Sequence, residues 1–214
     1  MKSFSQASFR FILSVVLTAL ILPFSGCKKK TEVVEKKPVV TLENLQTAYG
    51  IALKRATWYR QYAEKARKDR RSNAAFLFQA VSRSEEIHAA AHAALMRMQG
   101  VEPAPVQIDS VALGNVTQSL KMALSSESLE FESLYPNLIR SAEVEKFDSA
   151  AHQFKMIGDS DARHSQLFKE AADRDGNIGR VTYYICPQCG YIITSAKTDE
   201  CPTCKVTKNR FEKI

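Results

Sequence analysis

Residues 82–95, SRSEEIHAAAHAAL, are built for a helix, yet the stripe that should be apolar carries Glu85, His88 and His92. Alanine, leucine, glutamate and arginine all favour the helix. Burying a carboxylate and imidazoles without partners costs on the order of several kcal/mol. The same conflict recurs twice downstream: Glu127 and Glu130 lie on the inner stripe of residues 117–142, and Asp161 and His164 on that of residues 148–172. Each pair is spaced i, i+3, so both members share one helix face. A chain with three such stripes can bury them only if the pairs meet and share a compensating charge.

Periodicity supplies four helices to do this. The first is read over 42–68, opening at Thr41 as N-cap, with inner face Leu42, Leu45, Tyr49, Ala52, Ala56, Tyr59 and Ala63. The second runs from Asn73 to a stop at Gly100. The third covers 117–142 and should bend at Pro136, whose ring crowds the carbonyl one turn back. The fourth covers 148–172. Short links make helices one and two, and three and four, antiparallel hairpins. The link VEPAPVQIDSVALGN between helices two and three is long enough, at roughly 50 Å extended, to return along a helix about 39 Å long. Helices two and three are then parallel, which is the ferritin-like four-helix bundle with one long crossover. In such a bundle the three polar pairs fall at one height. A metal ion is the simplest compensation for that much buried charge, and Glu85, His88, Glu127, Glu130, Asp161 and His164 are its candidate ligands. His92, one turn past His88, is read as a core residue or a neighbour of the ligands, and His152 as solvent-exposed.

The last forty residues follow a different logic. Cys186-x-x-Cys189 and Cys201-x-x-Cys204 are two tight pairs that can close a tetrahedral site of four sulfurs. Zinc and iron both accept such a site. Residues 176–214 are too few for a strong core, so bound metal should supply much of the folding free energy.

The first 27 residues read as a targeting segment. Lys2 and Arg10 precede an apolar run, Phe11–Phe24, of signal-peptide rather than membrane-span length. Small residues before Cys27 resemble a bacterial lipobox, with Phe24 where leucine is usual, so Cys27 is the expected lipidation site. Residues 28–40 form a polar linker, followed by the bundle at 41–175. The formal net charge is +7, but no basic stripe with interleaved aromatics appears, which argues against nucleic-acid binding.

Taken together, TAYGIALKRATWYRQYA, SEEIHAAAH, SSESLEFESLYP and DSDARHSQLFKEA, with the tail ICPQCGY…CPTC and KNRFEKI, resemble the rubrerythrin family over residues 41–214. The resemblance implies a carboxylate-bridged diiron site in the bundle, a rubredoxin-like tail whose four cysteines hold one iron, and reduction of hydrogen peroxide to water. It implies that Glu85 and a carboxylate of the fourth helix bridge the irons, that His88 and His164 are terminal ligands, and that Glu127 and Glu130 complete the shell. Tyr59 matches a tyrosine beside the diiron site. It further implies a head-to-tail homodimer in which one subunit's tail lies near its partner's diiron site. The chain departs from the family twice. Ala52 stands where a glutamate ligand is expected, and Asp161 replaces a glutamate, which leaves open two irons, a single iron or no firmly held metal in the bundle. Three readings follow: a peroxidase-type oxidoreductase fed by an unidentified electron donor, an exported electron-transfer or metal-binding lipoprotein that has lost that activity, and a scaffold with zinc in the cysteines.

Overall fold

A computed structural model of the chain describes residues 37–194 and 198–214. The leader, Cys27 and most of the linker lie outside the described residues. The elements are α1 (Val39–Lys68), α2 (Ser72–Met98), α3 (Val116–Leu129), a π-helical turn (Glu130–Leu134), α4 (Tyr135–Val144) and α5 (Asp148–Ala172). Three two-residue strands follow: β1 (Tyr184–Ile185), β2 (Ile192–Ile193) and β3 (Glu212–Lys213). Among the described residues no helix is long and apolar enough to cross a membrane.

The architecture is the expected ferritin-like bundle. α1 and α2 form one antiparallel hairpin; α3, the π turn and α4 together form the other with α5. The crossover climbs α1. Ala104 pairs through its backbone N–H and C=O with the Gln46 amide, and the Trp58 indole donates to Asp109 O at 2.9 Å. The link therefore delivers the chain to the far end of the bundle, and α2 and α3 run parallel.

Two local expectations need correction. Thr41 is not the N-cap: α1 begins two residues earlier, at Val39 after Pro38. The Glu145 carboxylate instead accepts from the free N–H groups of Val40 (3.1 Å) and Thr41 (2.7 Å), capping α1 from the α4–α5 connection. Nor does Pro136 simply bend its helix. The π turn precedes it, with Tyr135 N–H reaching back to Glu130 O. In a π turn the i→i−4 bond is already replaced by i→i−5, so proline enters near the start of α4, where its missing donor does little harm.

Apolar side chains gather in two layers. One holds Tyr59, Phe78, Val81, Leu120 and Phe168; the other holds Leu45, Leu95, Tyr135, Leu138, Phe154 and Ile157. α5 accommodates Tyr135 through Gly158, where an added Cβ would come within 3.1 Å of the tyrosine's own Cβ. The tail is not a bead on a string. Tyr183, Ile185 and Ile192 belong to the first apolar layer, and Met156 of α5 packs on the cysteine cluster. Its strands form a small sheet in the order β2-β1-β3. Arg83 of α2 clasps Glu212 through two 2.7 Å bonds.

Candidate metal centre

The three polar pairs converge, one from each of three elements. α2 carries Glu85 and His88, α3 and the π turn carry Glu127 and Glu130, and α5 carries Asp161 and His164. All six are at most 3% exposed. Glu85, Glu127, Asp161 and His164 can each offer a ligand atom within 4.8 Å of the other three. His164 Nδ1 lies 3.0 Å from Glu127 Oε2, 3.5 Å from Glu85 Oε1 and 3.6 Å from Asp161 Oδ1. His88 Nδ1 faces the same space, 3.3 Å from Glu85 Oε1 and 3.4 Å from Asp161 Oδ1. Donor atoms sharing one ion at about 2.1 Å are separated by roughly 3.0–3.4 Å along the edges of an octahedron or tetrahedron. The observed spacings cover that range.

The outer nitrogens set the tautomers. His88 Nε2 is 3.1 Å from Cys189 O. A carbonyl only accepts, so the proton sits on Nε2 and a lone pair on Nδ1 points inward. Nε2 of His164 is 3.3 Å from Ser160 Oγ, a hydroxyl that can donate or accept, while its Nδ1 meets the Glu127 carboxylate at 3.0 Å. An imidazole lone pair set against carboxylates is the arrangement of a metal ligand held by its outer partner. Glu85 Oε1, both carboxylate oxygens of Asp161 and His88 Nδ1 are buried with no hydrogen-bond partner. Four orphaned donor atoms around one point fit a cation, since buried polar groups are otherwise paired.

Electrostatics point the same way. Burial, then the charges of Glu127 and Glu85, push Glu130 up to about 8 against the pull of Arg55. Burial and the same carboxylates raise Asp161 well above the usual range. Burial works against ionised Glu85, but His88 and His164 outweigh it and hold the group down to about 2. For His164, burial favours the neutral ring, yet the bond to Glu127 and the nearby Glu85 carboxylate push it up to about 9. Without a cation the layer gathers protons, and a metal would displace them.

α1 supplies no ligand. Ala52 faces the bundle at 2% exposure and carries no donor atom. One turn on, Arg55 Nε bonds Glu130 Oε1 at 2.8 Å. Tyr59 OH donates to Glu127 Oε1 at 2.5 Å, so it orients a candidate ligand. His92 is core: its Nε2 lies 3.3 Å from Tyr135 OH and its Nδ1 3.1 Å from the Gln153 amide, and burial pushes its pKa down to about 3. His152 is exposed. Sequence reasoning passed over Arg55 and Ser84. Arg55 lies one turn from Ala52 and Ser84 one turn before His88, so both were within reach of a helical-face reading.

The four tail cysteines form the second site. Cys186 Sγ lies 3.3 Å from Cys204 Sγ and Cys189 Sγ lies 3.5 Å from Cys201 Sγ. These are far from a disulfide bond of about 2.05 Å and near the roughly 3.8 Å edge of a tetrahedron with metal–sulfur bonds of about 2.3 Å. The site is seated on the bundle of its own chain. Ser84 Oγ donates to Gly190 O at 2.7 Å, beside the bond from His88 to Cys189 O. Gly190 has φ +76°, and a methyl there would overlap Ser84 Oγ and His88 Nε2. Glycine is required twice over, by backbone conformation and by the closeness of the helix.

Comparison with known proteins agrees with this fold. The family model described as Rubrerythrin matches residues 43–172. Rubrerythrin-2 of Clostridium acetobutylicum is 29% identical over 181 residues, covering 82% of this chain and 97% of the relative. Rubrerythrin of Porphyromonas gingivalis is 28% identical, covering 86% and 96%, and nigerythrin of Nitratidesulfovibrio vulgaris is 28% identical, covering 80% and 85%. Among solved structures, fully reduced all-ferrous nigerythrin superposes with a TM-score of 0.74 at 27% identity, covering 88% of this chain and 91% of that one. The bacterioferritin of Desulfovibrio desulfuricans, at 18% identity and a TM-score of 0.63 over 68% of this chain and 85% of that one, shares the fold.

Proposed function

Because the chain belongs to the rubrerythrin family, an iron-binding family of oxidoreductases, we propose that it reduces hydrogen peroxide to water. The overall reaction is H2O2 + 2H+ + 2e− → 2H2O, with electrons entering at the four-cysteine site. One observation carries this reading: the side chain of His88 joins the two sites. Its outer nitrogen donates to the Cys189 carbonyl and its inner nitrogen faces Glu85 and Asp161.

Iron held by the carboxylate–histidine cluster would supply the redox chemistry at the oxygen–oxygen bond. The chain's own residues prepare its surroundings. Ser84 and the Cys189 carbonyl fix the orientation of His88. Tyr59 fixes Glu127. The apolar layers above and below keep water out, which strengthens every electrostatic interaction inside. The connection from Cys189 to His88 lies within one chain.

The leader ending at Cys27 supports an exported lipoprotein anchored to a membrane, drawing electrons from a periplasmic or membrane-bound donor. Labelling with a radioactive fatty acid should mark the native chain and fail on Cys27→Ser. Ala52 favours a second reading, an exported electron carrier or metal-binding lipoprotein without peroxidase activity. The two separate in one experiment. The iron-loaded chain is reduced anaerobically and mixed with hydrogen peroxide while the visible band of the ferric sulfur site is followed. Return of the band within the mixing experiment, with water as product, supports the peroxidase. A band that stays bleached supports the carrier.

A further inference from the structure

We infer that the bundle of this chain holds one metal ion, on Glu85, Glu127, Asp161 and His164, and that the Arg55 guanidinium takes the place of a second. The inference rests on reading the layer as a metal site and departs from the two-metal site the family implies.

Three observations carry it. First, the donors divide unequally. Glu85, Glu127, Asp161 and His164 gather around one point within 4.8 Å of one another, while Glu130 turns one carboxylate oxygen to Arg55 at 2.8 Å. Second, α1 brings the wrong chemistry for another ion. Ala52 offers nothing, and the next inward-reaching residue, Arg55, has a side chain only 16% exposed and a fixed positive charge. An ion placed between Glu130 and α1 would meet that charge at close range in a buried site, where repulsion is least screened. Third, the charge balances with one ion. Four carboxylates against Arg55 leave a deficit of three, which one trivalent ion cancels with both imidazoles neutral. Two divalent ions together with Arg55 would overshoot.

The count has a chemical consequence. With one Fe(II) in the bundle and one in the four-cysteine site, each becoming Fe(III), the chain stores the two electrons that cleave one peroxide O–O bond. Two protons complete the two waters. His88, its inner nitrogen 3.3 Å from Glu85 and 3.4 Å from Asp161, stands beside that one ion and serves as the connection between the sites.

The test uses the full chain, iron-loaded and desalted anaerobically, with three readouts: iron per chain, the spin state of the bundle iron, and peroxide consumed per fully reduced chain. The expected result is two irons per chain, an uncoupled high-spin ferric signal from the bundle, and one equivalent of peroxide. Three irons with an exchange-coupled pair, and one and a half equivalents, would overturn the inference while leaving the metal reading intact. One iron, in the four-cysteine site alone, would overturn both. The double variant Ala52→Glu/Arg55→Ala should gain a third iron and a coupled pair. A folded double variant that stays at two irons would show that Arg55 does not exclude the second ion.

Discussion

At the scale of the residue, the chemistry depends on small exclusions. Gly190 lets the sulfur site approach α2 until its backbone touches Ser84 and His88. For Gly190→Ala we expect a docking interface weaker by about 1–3 kcal/mol, the range for overpacking a close contact. Electron transfer between the sites should slow at least tenfold, read by stopped-flow reoxidation of the sulfur-site band, while iron content stays unchanged. An unchanged rate would remove His88 from the path. His92 carries a second prediction. Its folded pKa, near 3, lies below the unfolded value of about 6.5, so between these values the unfolded chain binds the extra proton. Stability from His92 is present above pH 6.5 and declines as pH falls toward 3, by about 1.4 kcal/mol per unit. Urea denaturation at pH 7 and pH 5 should show a smaller acid loss in His92→Gln than in the native chain. Equal losses would contradict the buried neutral assignment.

At the scale of the element, most of the bundle was legible and the π turn was not. Apolar residues at spacings of three and four mark helices because burial demands one face, and the long crossover fixes the parallel pair. The six inward candidate ligands stood out for the same reason, as polar residues on an apolar stripe. A π turn leaves little trace in the pattern, since one inserted residue looks like ordinary drift of a helical face, and Pro136 invites the simpler reading of a bend. Thr41 does not cap because its local preference loses to Glu145, a partner about a hundred residues away that no local reading can supply. The register beyond the turn matters. Deleting exposed Ser133 should convert the π turn to α-helix and leave Tyr135, Leu138 and Ala142 on the buried face, whereas inserting one alanine after Ser133 should rotate them by about 100°. The insertion should then cost several kcal/mol of stability and the bundle metal together, seen as a lower melting temperature and reduced iron content, and the deletion should cost far less. An insertion variant as stable as the native chain would mean that the turn does not set the register.

At the scale of the whole molecule, two sites read separately from the sequence turn out to be one assembly. Each motif was evident alone: Cys-x-x-Cys pairs announce their site by spacing, and the helical pairs by their faces. Their contact was not, because docking rests on backbone carbonyls of Cys189 and Gly190 and on the Arg83–Glu212 pair, none of which has a sequence signature. Arg55 belongs to the same class, since its partner Glu130 lies 75 residues away. The central claim is that buried carboxylates and imidazoles converge because a metal neutralises them. Anomalous diffraction at the iron edge, from crystals of the iron-loaded chain, tests it most directly. The expected map has one peak among the four cysteine sulfurs and one within about 2.1 Å of ligand atoms from Glu85, Glu127, Asp161 and His164. A loaded sulfur site above a bundle with no peak, its carboxylates paired only by protons, would contradict it.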